Sequence, residues 1–297
     1  MKNELKQRLR DNAAVVDAAL AEYLQTPDPD LDLLYESMRY SALSGGKRIR
    51  PFLVLEFCRM FGGDVQAALP FACAIECVHA SSLIHDDMPC MDDDDLRRGK
   101  PTNHVVFGED IALLAGDALI TKGYELAAEN RLVKTEIALA ATAMLLKNAG
   151  AVGMMGGQQI DLWGETNPVD FPLLLKMHAK KTGALIIASA KLGCFAAGID
   201  SQNDERMQSA ALYAENVGLA FQVIDDILDA TSDDVTLGKR VHADEKMEKT
   251  TFLSEMSIED AYRYAKEKTE IAINAIAKYE NSEILTALAN HLLSRDK

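Results

Sequence analysis

Phe171-Pro-Leu-Leu-Leu-Lys-Met-His-Ala-Lys-Lys-Thr-Gly-Ala-Leu-Ile-Ile-Ala-Ser-Ala-Lys-Leu-Gly-Cys-Phe-Ala-Ala-Gly198 is apolar nearly all round a helical wheel, with Leu173, Leu174, Leu175, Leu185, Ile186, Ile187, Ala188, Leu192, Phe195 and Ala196 on every side. A helix with no polar face belongs in the middle of a bundle, because any outward side would leave apolar surface in water. Residues 211–230 have the same character. Outward from these two segments, apolar residues recur at intervals of three and four, and alternating runs of β-branched residues are nearly absent. The spacing predicts an all-α fold. Breaks fall at Thr26 to Asp30, Ser44 to Gly46, Gly62 to Asp64, Asp92 to Asn103, Gly156-Gly157, Asn167 to Pro172, Gly198 to Asp204 and Thr231 to Asp244. They leave about eight to ten helices, several longer than the usual ~11 residues. No linker, repeat or low-complexity stretch divides the chain, so residues 1–297 are expected to form a single domain.

The 297 residues are 48% hydrophobic and carry 31 Lys and Arg against 46 Asp and Glu, a formal net charge of −15. Such a chain can bury a large core, and its negative excess argues against a general nucleic-acid or anionic-membrane surface. Cys58, Cys73, Cys77, Cys90 and Cys194 lack metal-ligand spacing, and Cys73 and Cys77 lie one helical turn apart, where a disulfide is disfavoured. All five are expected to be small core residues in a reducing compartment. The N-terminus is charged and amphipathic, no apolar stretch looks long and clean enough to span a bilayer, and a cytoplasmic protein without stable membrane insertion is expected.

Two acidic clusters end apolar segments: Asp86-Asp87-Met-Pro-Cys-Met-Asp92, followed by Arg97-Arg98, and Asp225-Asp226-Ile-Leu-Asp229. Burying several carboxylates unpaired is costly, so something positive must meet them. Oxygen-only donors favour magnesium or manganese, and magnesium keeps positions open for substrate phosphate. Spacings of three and four put Asp225, Asp226 and Asp229 on one side of a helical turn, where three like charges repel and oppose the helix dipole unless a cation binds. Pro89 ends the first helix, so Asp92 returns from the following turn. Two helices, 65–88 and 205–230, then aim their acidic ends at one mouth. His85 reads as a hydrogen-bonding or packing residue beside these carboxylates. In Gly45-Gly-Lys-Arg-Ile-Arg-Pro51, two glycines permit close backbone approach, and Lys47 and Arg50 offer phosphate donors.

Taken together with Leu83 to Asp87, Gly99 to His104, Ala115 to Asp117, Gly157-Gln-Gln-Ile-Asp161, Lys181-Thr-Gly183, Phe221 to Asp229 and Gly238-Lys239, these runs closely resemble the trans-isoprenyl diphosphate synthases of the bacterial farnesyl/geranylgeranyl branch. The resemblance implies a bundle of long helices around a deep central cavity, an isoprenoid synthase fold. It implies a magnesium-dependent prenyltransferase, usually a homodimer, that joins isopentenyl diphosphate to an allylic diphosphate such as dimethylallyl, geranyl or farnesyl diphosphate. Asp86, Asp87, Asp92, Asp225, Asp226 and Asp229 then correspond to the metal motifs, with Asp225 foremost in the second. Arg97, Lys181 and Lys239 correspond to contacts with the allylic diphosphate. Lys47, Arg50, His79 and Arg98 match the site for isopentenyl diphosphate, with Phe221 near its hydrocarbon. Thr182 and Gln222 match residues near the allylic carbon, and Lys249 a second lysine beyond the second motif. The segment 231–249 is expected to close over the site and keep water from the carbocation.

Ser82 and Ser81 lie four and five residues before Asp86, one turn or ~5.4 Å deeper along the helix. Farnesyl-forming relatives commonly place an aromatic residue at the position of Ser81. A small residue there, with Cys77 and Val78 a turn below, implies a deeper well and a twenty-carbon product over fifteen. Met154 or Met155 could close the floor. The competing readings are a class I terpene cyclase, whose second motif generally mixes Asn, Ser/Thr and Glu, and a non-catalytic partner subunit, which tends to lose aspartates or basic groups kept here.

Overall fold

The computed structural model describes residues 2–231 and 250–294. Among them run α1 (Lys2–Tyr23), a 3₁₀ turn (Pro29–Leu31), α2 (Asp32–Ala42), α3 (Ile49–Met60), α4 (Val65–Asp86), α5 (Asn103–Phe107), α6 (Glu109–Ala128), α7 (Thr135–Ala149), α8 (Met154–Gly164) and α9 (Phe171–His178). A π turn (Ala179–Gly183) leads into α10 (Ala184–Ala196), followed by α11 (Glu205–Thr231), α12 (Phe252–Glu255), α13 (Ile258–Ile276) and α14 (Glu283–Leu293). The only strands among the described residues are a two-residue antiparallel pair, β1 (Leu96–Arg97) and β2 (Lys100–Pro101), with Arg97 opposite Lys100. The all-α expectation holds.

The helices start where the sequence supplies caps: the side chains of Asp64, Asp170 and Ser257 accept from the backbone N–H groups of Gln66, Leu173 and Asp260. Helix α10 packs against α3, α4, α7 and α11, the central place its all-round apolarity demands. Gly193 makes this packing close, since a Cβ there would lie 2.5 Å from the carbonyl oxygen of Val54. Tyr213 on α11 reaches through the core, donating to the carbonyl of Leu285 at 2.7 Å and meeting Phe57 edge-on. A smaller apolar cluster gathers Val223, Ile224, Phe252, Ala261 and Ala265.

Five sequence expectations change. The stretch 171–198 is two helices joined by a wider π turn, and short helices raise the helix number above ten. Gly156-Gly157 lies inside α8, because the chain breaks earlier, at Gly150 to Gly153. Cys90 is exposed rather than in the core, because it follows Pro89 in the turn that leaves α4, whereas Cys58, Cys73, Cys77 and Cys194 are buried. Val65–Asp86 and Thr135–Gly164 do reach membrane-spanning length and apolarity, with 72% and 44% of the respective apolar windows buried. A core helix surrounded by neighbours passes the same test of composition.

Candidate active site

Helix α4 carries the first aspartate motif to its C-terminus, and the following turn folds back: the N–H of Asp92 donates to the carbonyl of Asp86 at 2.9 Å. Asp92 thus returns beside Asp86, as Pro89 suggests. Burial pushes the Asp86 carboxyl up to about 6; Lys181 opposes that shift, while Asp92 adds to it. Lys181, on the π turn, therefore stands close enough to act on the end of α4. Asp87 is 3% exposed and takes a forked set of bonds from Arg97, at 2.9 and 2.8 Å from Nε and 2.6 Å from Nη2. Sequence reasoning gave Asp87 to metal and Arg97 to phosphate. The structure makes them partners, because β1 turns the guanidinium back onto a carboxylate that burial would otherwise leave uncompensated.

Lys181 also bonds Asp161 of α8 at 2.5 Å. Asp161 is a site residue that the sequence reading overlooked, although it stands in a quoted motif; a lone acid, 8% exposed, on a helix of Gly, Gln and apolar residues is the signal. Gly157 permits this contact, since a Cβ there would meet the backbone of Lys181, 2.6 Å from its Cα.

The hydroxyl of Thr182 donates to Gln222 at 3.3 Å, and Gln222 donates to Asp226 at 3.1 Å. The other oxygen of Asp226 accepts from the N–H of Phe252 at 2.9 Å. The three aspartates of α11 therefore do not act as one face: Asp226 is buried and turned to the start of α12, while Asp225 and Asp229 are partly exposed. Neighbouring helical residues diverge by about 100°, so Asp225 and Asp226 cannot share a direction, whereas positions 225 and 229 can. Among the described residues no three His, Cys, Asp or Glu side chains form a ready-made cation cage. Lys181-Thr182 is the segment that both motifs flank.

A basic pocket adjoins this centre. Arg50 Nη1 lies 3.2 Å from His79 Nε2, and Arg98 donates to the carbonyl of Gly45 while its guanidinium lies flat against Gly46, where any Cβ would collide. Burial, then Arg50 and Arg98, hold the His79 pKa well below its usual value, so the ring is neutral and accepts from Arg50. Arg50 Nε is buried without a hydrogen-bond partner, a donor suited to an anionic oxygen. Lys47 is exposed beside it, and Phe221 packs at the core edge.

Ser81 is buried, and the Ser82 hydroxyl bonds back to the carbonyl of His79 at 2.9 Å. Met154 is buried, but Met155 is 47% exposed, pointing away from any floor. His85 keeps to hydrogen bonding, with Nε2 3.3 Å from the carbonyl of Leu113. Lys239, Lys249 and, after Thr231, the segment 231–249 lie outside the described residues.

Residues 31–291 match the family described as polyprenyl synthetase. The chain is 39% identical over 291 residues to a geranylgeranyl diphosphate synthase of Cyanophora paradoxa, covering 97% of this chain and 95% of the relative. It is 42% identical over 268 residues to a farnesyl diphosphate synthase of Escherichia coli strain K12, covering 88% and 89%. The crystal structure of an FPP/GFPP synthase from Zymomonas mobilis superposes with a TM-score of 0.89 at 37% identity, covering 99% of this chain and 100% of that one. With two aspartate motifs flanking a lysine-bearing π turn beside an arginine pocket, and with relatives of this identity along nearly its whole length, the chain belongs to the polyprenyl synthetase family.

Proposed function

We propose that this protein condenses isopentenyl diphosphate with an allylic diphosphate, head to tail, to give farnesyl or geranylgeranyl diphosphate, with release of diphosphate. The observation that carries the reading is the position of Lys181-Thr182 between the two aspartate motifs, with Arg50, His79 and Arg98 gathered alongside. One diphosphate fits the centre lined by aspartates and lysine, and the other fits the arginine pocket. Asp86 at the end of α4 and Asp92 in the turn after it, with Asp225 and Asp229 from α11, are all-oxygen donors of the kind that hold magnesium or manganese. Asp87 and Asp226 orient these motifs through Arg97 and Phe252. Such a cation supplies Lewis-acid charge to the departing diphosphate.

Lys181, fixed by Asp161, adds a positive charge where negative charge grows as the allylic carbon–oxygen bond breaks. Arg50, Arg98 and Lys47 hold the second diphosphate so that its alkene faces the cationic carbon. The Thr182 hydroxyl and Gln222 amide border that carbon, and the released diphosphate takes the proton that completes the new double bond. Ser81, a small side chain buried one turn below the metal end of α4, supports the twenty-carbon product over fifteen. A homodimer is supported by Leu113 and Leu114 on α6 and by Leu139 and Leu146, seven residues apart on α7, all large apolar side chains left exposed. Free thiols fit a reducing, cytoplasmic compartment.

Purified protein incubated with labelled isopentenyl diphosphate, magnesium and each allylic starter is expected to yield elongated prenyl diphosphates. Release of cyclic hydrocarbon would favour a cyclase, and no elongation by the chain alone would favour a partner subunit.

A further inference from the structure

Arg48 sits between two pocket residues, Lys47 and Arg50, yet it faces the other way. It is 5% exposed, and its backbone adopts the left-handed region at φ 47°, which side-chain-bearing residues normally avoid. Such a conformation persists where the surroundings over-determine it, and here they do. Nη1 meets Glu76 Oε1 at 2.5 Å, Nη2 meets Asp17 Oδ1 at 2.7 Å, and Nη2 also donates to the carbonyl of Ala42 at 2.7 Å. The guanidinium thereby ties the turn before α3 to three elements: α1 through Asp17, the end of α2 through Ala42, and α4 through Glu76.

Glu76 is itself 4% exposed and lies three residues before His79 on the same helix. Its charge reaches beyond Arg48: burial pulls the pKa values of Arg50 and Arg98 down, and Glu76 is the foremost influence raising both. Glu76 thus pairs directly with Arg48, and its charge also favours the cations of Arg50 and Arg98 nearby. A turn with Gly45 at φ 83° and Gly46 at φ 125° has little stiffness of its own, so a fixed presentation of Lys47 and Arg50 must come from what holds the turn.

We propose that Arg48, gripped by Glu76 and Asp17, is a positioning residue for the diphosphate of isopentenyl diphosphate. By anchoring the turn inward it sets Lys47 and Arg50 outward against His79 and Arg98, while Glu76 offsets the mutual repulsion of the arginines before the anion arrives. The inference rests on the reading above that this pocket holds the non-allylic diphosphate. An ordinary buried ion pair would affect stability alone; a positioning pair acts on one substrate.

The test is steady-state kinetics on the full chain with both substrates varied. Arg48→Gly removes the guanidinium while suiting the left-handed backbone. It is expected to raise KM for isopentenyl diphosphate by about tenfold or more, the loss of one well-placed charge-assisted contact, with KM for the allylic substrate and kcat within about twofold. Arg48→Lys should recover part of the loss, and Glu76→Gln should raise the same KM several-fold. Arg98→Ala is the control: an unchanged KM there overturns the pocket reading itself. If Arg98→Ala raises KM but Arg48→Gly leaves it unchanged, or lowers kcat and both affinities alike, the positioning role is overturned. Should Arg48→Gly not fold, Glu76→Gln decides, and an unchanged KM for isopentenyl diphosphate in that variant overturns the proposal.

Discussion

His178 stacks its ring on Phe252 with centroids 5.2 Å apart and planes 16° from parallel, and its Nε2 is buried without a hydrogen-bond partner. Burial is the main reason its pKa falls to about 4, with Asp161 and Lys181 acting in opposite senses. As pH drops below the ordinary histidine value, the unfolded chain takes up a proton that the folded chain refuses. Stability that is full above about pH 6.5 is therefore lost progressively toward pH 4, by up to ~3 kcal/mol for this one group. His178→Phe keeps the stack and removes the titration. Its urea midpoint is expected to fall less between pH 7.5 and 4.5 than that of the parent chain, and equal falls would refute the assignment. At the same scale, Ser81→Tyr is expected to shorten the product, because the ring would fill space one turn below the metal end of α4. Mass spectrometry of the prenyl diphosphates reads this directly, and unchanged lengths count against Ser81 as the gate.

The π turn between α9 and α10 is the element on which the site is built. Turns of this kind are rare and recur at functional positions because the widened ring re-aims side chains. Here the turn aims Lys181 at Asp161 and toward Asp86, and Thr182 at Gln222. Helix α8 seats it through Gly157, so Gly157→Ala drives a Cβ into the backbone of Lys181 and displaces both residues. A misplacement of order 1 Å costs on the order of 10²-fold in rate, so a comparable loss of kcat is expected, with a lowered melting temperature. A variant with parental kcat would show that the turn tolerates movement. The turn's amino acids were legible as a motif, but the π geometry was not, since the 171–198 pattern reads equally well as one uninterrupted helix. Asp226 shows the same limit: intervals of three and four place it near Asp229, while the bond to the N–H of Phe252, twenty-six residues on, takes it elsewhere.

Across the whole molecule, the exposed apolar side chains of α6 and α7 lie on neighbouring helices, of which α6 packs against α4, the helix that carries Asp86 at its C-terminus. A dimer built on that face would brace the motif-bearing helix from outside. Leu139→Glu places a charge on that face, with Leu139 70% exposed and so free of a folding role. The parent is expected to sediment as a dimer and the variant, at the same concentration, as a monomer. A dimeric variant would move the interface elsewhere, and a monomeric parent would overturn the dimer.

Sequence alone determined that the chain is helical, that the later half of 171–198, now α10, and 211–230 lie centrally, and that α4 and α11 lead into acidic motifs, because periodicity, caps and breakers act over a few residues. Tertiary structure alone decided how the carboxylates divide their work. Asp87 is claimed by Arg97 and Asp226 by Phe252, Asp161 joins Lys181, and Arg48 turns inward to Glu76. The reason is that a buried charge settles on whichever partner the packing of distant segments brings within reach, and no local pattern records that partner.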